Sequence, residues 1–250
     1  SNNSVLDNIV AFSGRGGGTY SSGIVIADTA GSGNSLMRNI IYSSVGLGID
    51  LRADNSVLVN DLGDPDTGPN NLQNYPVLSS ALTTGNRITI NGTLNSNAGT
   101  NYRIEFFASP TGDASGHGEA SAYLGSVDVT TNGSGNASFS AVLTASVPAG
   151  YSVTATATKA NADFSGFSDT SEFSTNLLAQ AVNTAPTLTQ GATTGMGAAY
   201  SEDAPTLGFM VDGVVANVGW VDPDPSAVRG MALTGTSGNG IWQYSTDLAA

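Results

Sequence analysis

The chain has no cysteine, a single histidine and only seven basic residues. Without cysteine there is no disulfide framework, no thiol nucleophile and no Cys-ligated zinc. Seven Lys and Arg against twenty Asp and Glu leave a net charge of −13, which repels phosphate backbones and excludes nucleic acid as a partner. The same charge argues against anionic membranes, and no apolar run approaches a membrane span, so no membrane insertion is expected. There is no secretory leader and no initiator Met, and the chain opens and closes in mid-pattern, which reads as a piece of something longer. Charge of either sign is scarce at 11%, where about a quarter is usual, so hydroxyls and amides make the surface.

Hydrophobic residues reach 40%, enough for a sizeable core over 250 residues, and glycine reaches 32. Gly and Asn supply the positive φ that turns require, so the composition predicts an all-β chain rich in turns. Clustered carboxylates on such a chain favour divalent cations.

Three segments nearly superimpose: Asn3-Ser-Val-Leu-Asp-Asn8, Asn34-Ser-Leu-Met-Arg-Asn39 and Asn55-Ser-Val-Leu-Val-Asn60. Their starts, at 3, 34 and 55, are separated by 31 and 21 residues, a period typical of solenoid repeats. Gly14–Tyr20 reads as a loop inserted in one rung, and Gly23–Asp28 and Gly48–Asp54 as a second strand family. Stacked rungs would share one core, with Val5, Ile9, Leu36, Ile40 and Val57 as inward candidates, and an Asn ladder at the corner. The pattern resembles the right-handed parallel β-helix of bacterial secreted proteins, an architecture shared with pectate lyases. Residues 1–60 are expected to be its C-terminal rungs.

Residues 61–78 read as cap and linker. Asp61, Asp64 and Asp66, with Gly63 and Gly68 to turn the chain, either converge on one Ca²⁺, helped by Asn70, Asn71 and carbonyls, or form a solvated turn. The spacing fits no EF-hand loop.

From 79 to 178, period-2 strands alternate with turns: 87–94, 102–108, 123–130, 137–143, 151–158 and 166–174. This is the pattern of an antiparallel immunoglobulin-like sandwich. Tyr102-Arg-Ile-Glu-Phe-Phe-Ala108, Tyr123-Leu-Gly-Ser-Val and Ser171-Glu-Phe-Ser174, with Pro69-Asn-Asn-Leu-Gln-Asn-Tyr-Pro76 before them, resemble the Ig-like domain that follows Asn-rich β-helices in large bacterial surface proteins. The resemblance implies an extracellular or cell-surface location and a structural or adhesive role. His117, in Ser115-Gly-His-Gly-Glu119, matches a motif of β-helix polygalacturonases but lies in a sandwich loop, with Glu119 expected to anchor that loop through backbone N–H groups.

Residues 179–250 contain Asn183-Thr-Ala-Pro186, Ser201-Glu-Asp-Ala-Pro205 and Val221-Asp-Pro-Asp-Pro225. They resemble the opening of a cadherin-like or Ig-like adhesin repeat, the beginning of a second sandwich-like module. By that resemblance Glu202, Asp203, Asp222 and Asp224 are candidate Ca²⁺ ligands, although the Asp-Arg-Glu of true cadherins is missing. Trp220, Trp242 and Tyr244 read either as core or as sugar-stacking platforms.

Three functions compete. The first is a non-catalytic structural and adhesive segment, Ca²⁺-stiffened, with a cell-surface protein or glycan as partner. The second is a polysaccharide lyase or hydrolase, for which Arg15, Arg38 and Arg52 with Asp7, Asp28, Asp50 and Asp54 supply the residue types, although only Arg38 and Asp7 share a repeat position. The third is a carbohydrate-binding module. The first is preferred because no catalytic cluster emerges.

Overall fold

The computed structural model describes residues 1–16, 21–182, 187–188 and 220–221. The fold is all-β, as the composition predicts. Residues 1–182 make one compact unit and 183–250 a second.

Six short strands open the first unit: β1 (Ser4–Leu6), β2 (Ile9–Ala11), β3 (Ile24–Ala27), β4 (Ser35–Met37), β5 (Ile40–Tyr42) and β6 (Ile49–Arg52). They form three parallel pairs, β1–β4, β2–β5 and β3–β6, each two strands wide. Two-strand pairs within an otherwise mixed set of sheets do not amount to a solenoid.

The Asn pattern does form a ladder, but with a different third member. Asn3 Nδ2 donates to Asn34 Oδ1 at 2.9 Å, and Asn34 Nδ2 donates to Asn70 Oδ1 at 2.9 Å. Asn70 sits in a 3₁₀ segment, Pro69–Leu72, and is fully buried. Its positive φ of 50° suits Asn better than most residues. Residues 55–60, which look like a third rung in sequence, form no strand.

The inward set is shifted in part. Leu36 is buried and Val5 packs on the same core, as expected, but Ile41 is buried where Ile40 is only half-buried, and Ile9 is 72% exposed. Strand side chains alternate, so an error of one residue in register exchanges the two faces.

Nine more strands follow: β7 (Val77–Thr83), β8 (Ile88–Asn95), β9 (Asn101–Ser109), β10 (Ala122–Thr130), β11 (Asn136–Leu143), β12 (Ser152–Ala160), β13 (Phe167–Thr170), β14 (Leu177–Leu178) and β15 (Gln180–Ala181). One sheet runs β10-β9-β12-β13, with β14 also on β12; the other runs β11-β8-β7-β15, where β15 joins β7 in parallel. Their inner faces share a core in which Ile88, Ile90 and Phe139 meet Ile104, Phe106 and Val153.

A second core lies outside this sandwich. Phe107 and Phe173, edge to face at 5.4 Å, pack with Leu36, Ile41, Ile49 and Leu51 of the stacked strands. Gly48 permits this close approach, since a Cβ there would lie 2.7 Å from the Phe173 ring. The stacked strands and the outer face of the sandwich therefore bury apolar surface against each other. Apolar burial is the dominant favourable term in folding.

In the second unit, β16 (Thr187–Leu188) pairs antiparallel with β17 (Trp220–Val221). Among the described residues no helix is long and apolar enough to cross a membrane.

Candidate functional site

The acidic loop closes as its spacing allows. Ligand oxygens of Asp61, Asp64 and Asp66 lie within 4.8 Å of one another. Calcium–oxygen distances of about 2.3–2.6 Å place ligands of one ion about that far apart. Asp64 is buried; its Oδ1 accepts the Asn74 N–H at 3.2 Å, and Ser96 Oγ donates a short bond to its Oδ2. Ser96 also shares a 2.7 Å bond with the Tyr102 hydroxyl. Asn97 Nδ2 clamps the loop through the carbonyls of Gly63 and Asp64.

Burial pushes the Asp64 carboxyl up to about 6, against the pull of the Ser96 and Asn74 bonds, and Asp66 and Asp61 add to the rise. Asp66 is raised as well, by burial and then by Asp61. Asp61 Oδ1 and Asp66 Oδ1 are shielded from solvent without a hydrogen-bond partner among the described residues. Three carboxylates held this close repel one another, and a hard cation is the chemical species that would relieve them.

Asn70 and Asn71 do not join this loop. Asn70 Nδ2 donates to the carbonyls of Asn34 and Thr170, and Asn71 Nδ2 donates to Asp169. Glu202, Asp203, Asp222, Asp224, Trp242 and Tyr244 lie outside the described residues. Of Trp220, only its backbone pairing with Leu188 is described.

Of the residues considered for lyase chemistry, Arg38, Asp7 and Asp50 make bonds within the stacked strands. Arg38 donates from Nε and Nη2 to the two oxygens of Asp7, both at 2.7 Å. Asp50 accepts the N–H groups of Ala53 and Asn55 and the Ser22 hydroxyl. His117 sets its Nδ1 3.1 Å from the Phe173 carbonyl and its ring edge to face with Tyr75.

The most organised feature escaped the sequence. Backbone N–H groups of the stacked strands and the turns beside them are taken up by carboxylates from the sandwich. Glu105 Oε2 accepts from Arg38 and Glu119 Oε1 from Ser44, both at 2.8 Å. Glu172 spans two donors, Leu51 to Oε1 and Leu58 to Oε2, both at 3.0 Å. Asp169 Oδ1 accepts from Gly33, and the Thr170 hydroxyl accepts from Leu36. Glu119, expected to anchor its own loop, instead reaches the segment after β5.

An unpaired strand edge is a row of unsatisfied donors and acceptors, and each buried orphan costs about 1–3 kcal/mol. The carboxylates meet that demand, but at the cost of their own burial. Burial raises both Glu105 and Glu172 to about 7, although the N–H bonds favour their charged forms. The sequence held a signal for this seam: Glu105 lies in the apolar run Ile104-Glu-Phe-Phe, and Glu172 in Ser171-Glu-Phe-Ser174.

The chain matches no protein-family model and no curated protein.

Proposed function

We propose that this chain is a non-catalytic structural and adhesive segment of a bacterial extracellular or cell-surface protein. In this reading the three parallel pairs are the last rungs of a right-handed parallel β-helix, and β7–β15 an Ig-like sandwich that ends it. Residues 183–250 begin a further cadherin-like or Ig-like repeat.

The observation that carries the reading is the carboxylate seam, which fuses stacked strands and sandwich into one body. A spacer held under tension needs such a junction, because a flexible linker would bend under force. Ca²⁺ at Asp61, Asp64 and Asp66 would tie the loop between the two parts and stiffen it further. The partner is a cell-surface protein or glycan.

The test is single-molecule extension of the chain held at its ends. At about 3.5 Å per residue, residues 1–182 are expected to release roughly 60 nm in one step. Separate release of a segment near residues 1–60, before the sandwich opens, would refute the fused junction and with it the spacer role.

A further inference from the structure

The geometry points to a saccharide subsite where the stacked strands meet the sandwich. A cavity of about 420 Å³ opens there, between Tyr42 and Ser44 on one side and Thr111, Asp113, Glu119 and Ser121 on the other. That volume falls within the roughly 300–1,000 Å³ range of small-molecule sites. The spacer role does not require it, and it uses none of the acidic loop.

One carboxylate lining the cavity keeps hydrogen-bonding capacity. Glu119 is 92% buried, since its exposure is only 8%. Its Oε1 is taken by the Ser44 N–H, while its Oε2 makes no hydrogen bond among the described residues. A carboxylate on a side chain more than nine-tenths buried, with one oxygen fixed by a main-chain N–H and the other free on a cavity, is placed to accept from a donor seated there. Ser121 donates its hydroxyl to the Ala108 carbonyl and keeps its lone pairs. Tyr42 supplies an aromatic wall, and the exposed Phe12 ring meets it edge to face at 5.8 Å.

The lining selects among ligand classes. It holds two carboxylates and, among the described residues, no Lys, Arg or His, so phosphates, uronates and other anions are repelled. Carboxylate and hydroxyl groups beside an aromatic face complement a neutral sugar, whose hydroxyls both donate and accept and whose C–H face packs on a ring. A purely apolar ligand would leave Glu119 unpaired. The occupant assigned is therefore one neutral hexose unit, either free or at the end of a glycan chain.

The experiment is calorimetric and NMR titration of the whole chain with methyl hexosides of glucose, galactose, mannose and N-acetylglucosamine, each alongside its trisaccharide. Binding by at least one hexoside below about 10 mM is expected, a weak affinity suited to a single open site. A trisaccharide bound tighter than its hexoside identifies a chain end; equal affinities identify the free sugar. Tyr42→Ala and Glu119→Gln should each weaken binding about tenfold or more, because hydrogen bonds to charged groups and aromatic faces carry such sites. Glu119→Gln retains an acceptor for the Ser44 N–H, and unchanged thermal midpoints separate lost binding from lost folding. Asp113→Asn, on the rim, serves as the check if Glu119→Gln does not fold, and should weaken binding more mildly. Three results would overturn the assignment: no hexoside bound, binding unaffected by Tyr42→Ala with either carboxylate variant, or preference for a choline probe.

Discussion

Glu105→Gln provides the sharpest test of how the seam is held together. Glu105 is fully buried on β9, with Oε2 on the Arg38 N–H and Oε1 shielded without a partner. Burial lifts its carboxyl to about 7 from an ordinary 4.5, and Asp7 adds slightly. The Arg38 N–H bond and the charges of Arg38 and Arg103 oppose the rise. Between those two values the folded chain holds a proton that the unfolded chain has released. The stability this contributes is complete below about pH 4.5 and is lost as the pH rises through 7. A gap of about 2.5 units, at 1.36 kcal/mol each, makes this about 3 kcal/mol at the alkaline end.

Glutamine keeps an acceptor for Arg38, places an amide where Oε1 lies and cannot ionise. Its cross-strand neighbour is Thr156, whose hydroxyl is likewise shielded and unpartnered. At pH 5 the variant and the parent should differ by less than about 1 kcal/mol. At pH 8 the variant should be the more stable by about 2–3 kcal/mol. Urea unfolding followed by far-UV circular dichroism at both pH values measures the difference directly. An equal difference at the two pH values would show that burial does not control this group, and a large loss at pH 8 would show that the seam needs the charge.

Glu172→Ala should cost about 4 kcal/mol in the same unfolding assay, because it orphans two buried N–H groups at about 1–3 kcal/mol each; a loss under 1 kcal/mol would mean water replaces the carboxylate. Asn70→Ala should cost about 3–5 kcal/mol, since it strips partners from Asn34 and Thr170. Asn55→Ala should cost only about 1 kcal/mol, and equal losses would restore Asn55 as a ladder member. Ca²⁺ at about 100 times its dissociation constant should add about 2.7 kcal/mol to the folded chain, and this gain should vanish in Asp61→Asn/Asp66→Asn; a thermal midpoint unmoved between EDTA and millimolar Ca²⁺ would leave the loop a turn.

Much of the sandwich was legible because its strands alternate cleanly. The runs expected at 102–108, 137–143 and 151–158 fall within β9, β11 and β12 or overrun them by a single residue. β7 was less visible, since Ser79-Ser80 interrupts the apolar period where its pairing with β8 slips between Leu78 and Ser80. A bulge of this kind breaks the rule by which strands are read. The Asn55 segment misled for the opposite reason: its composition copies a rung, but residues 55–60 form no strand and the ladder passes to Asn70. The acidic loop was found because its residues are close in sequence. The seam was missed because its partners lie up to 136 residues apart.

The seam also shows why an alternation pattern can be right about direction and wrong about destination. In Tyr102-Arg-Ile-Glu-Phe, the odd positions point away from the sandwich core, and outward ordinarily means solvent. Here the outward face of β9 and β12 carries Glu105 and Phe107 beside Thr154, Thr156 and Thr158, and all five are buried. The three threonines leave no readable trace of this, because hydroxyls and amides also make the exposed face of β11, at Asn136, Ser138 and Ser140. Such a layer must satisfy main-chain donors from the strands stacked on it, which apolar side chains cannot do. Another strand could, but it would present a fresh edge of its own. A carboxylate accepts the donor and presents none, so the stack ends where the glutamates and Asp169 begin. Because each of these bonds joins residues 67 or more apart in the chain, the junction cannot form until both parts are nearly in place. Closing such long loops precedes the reward, so the junction is expected to form late and cooperatively in folding.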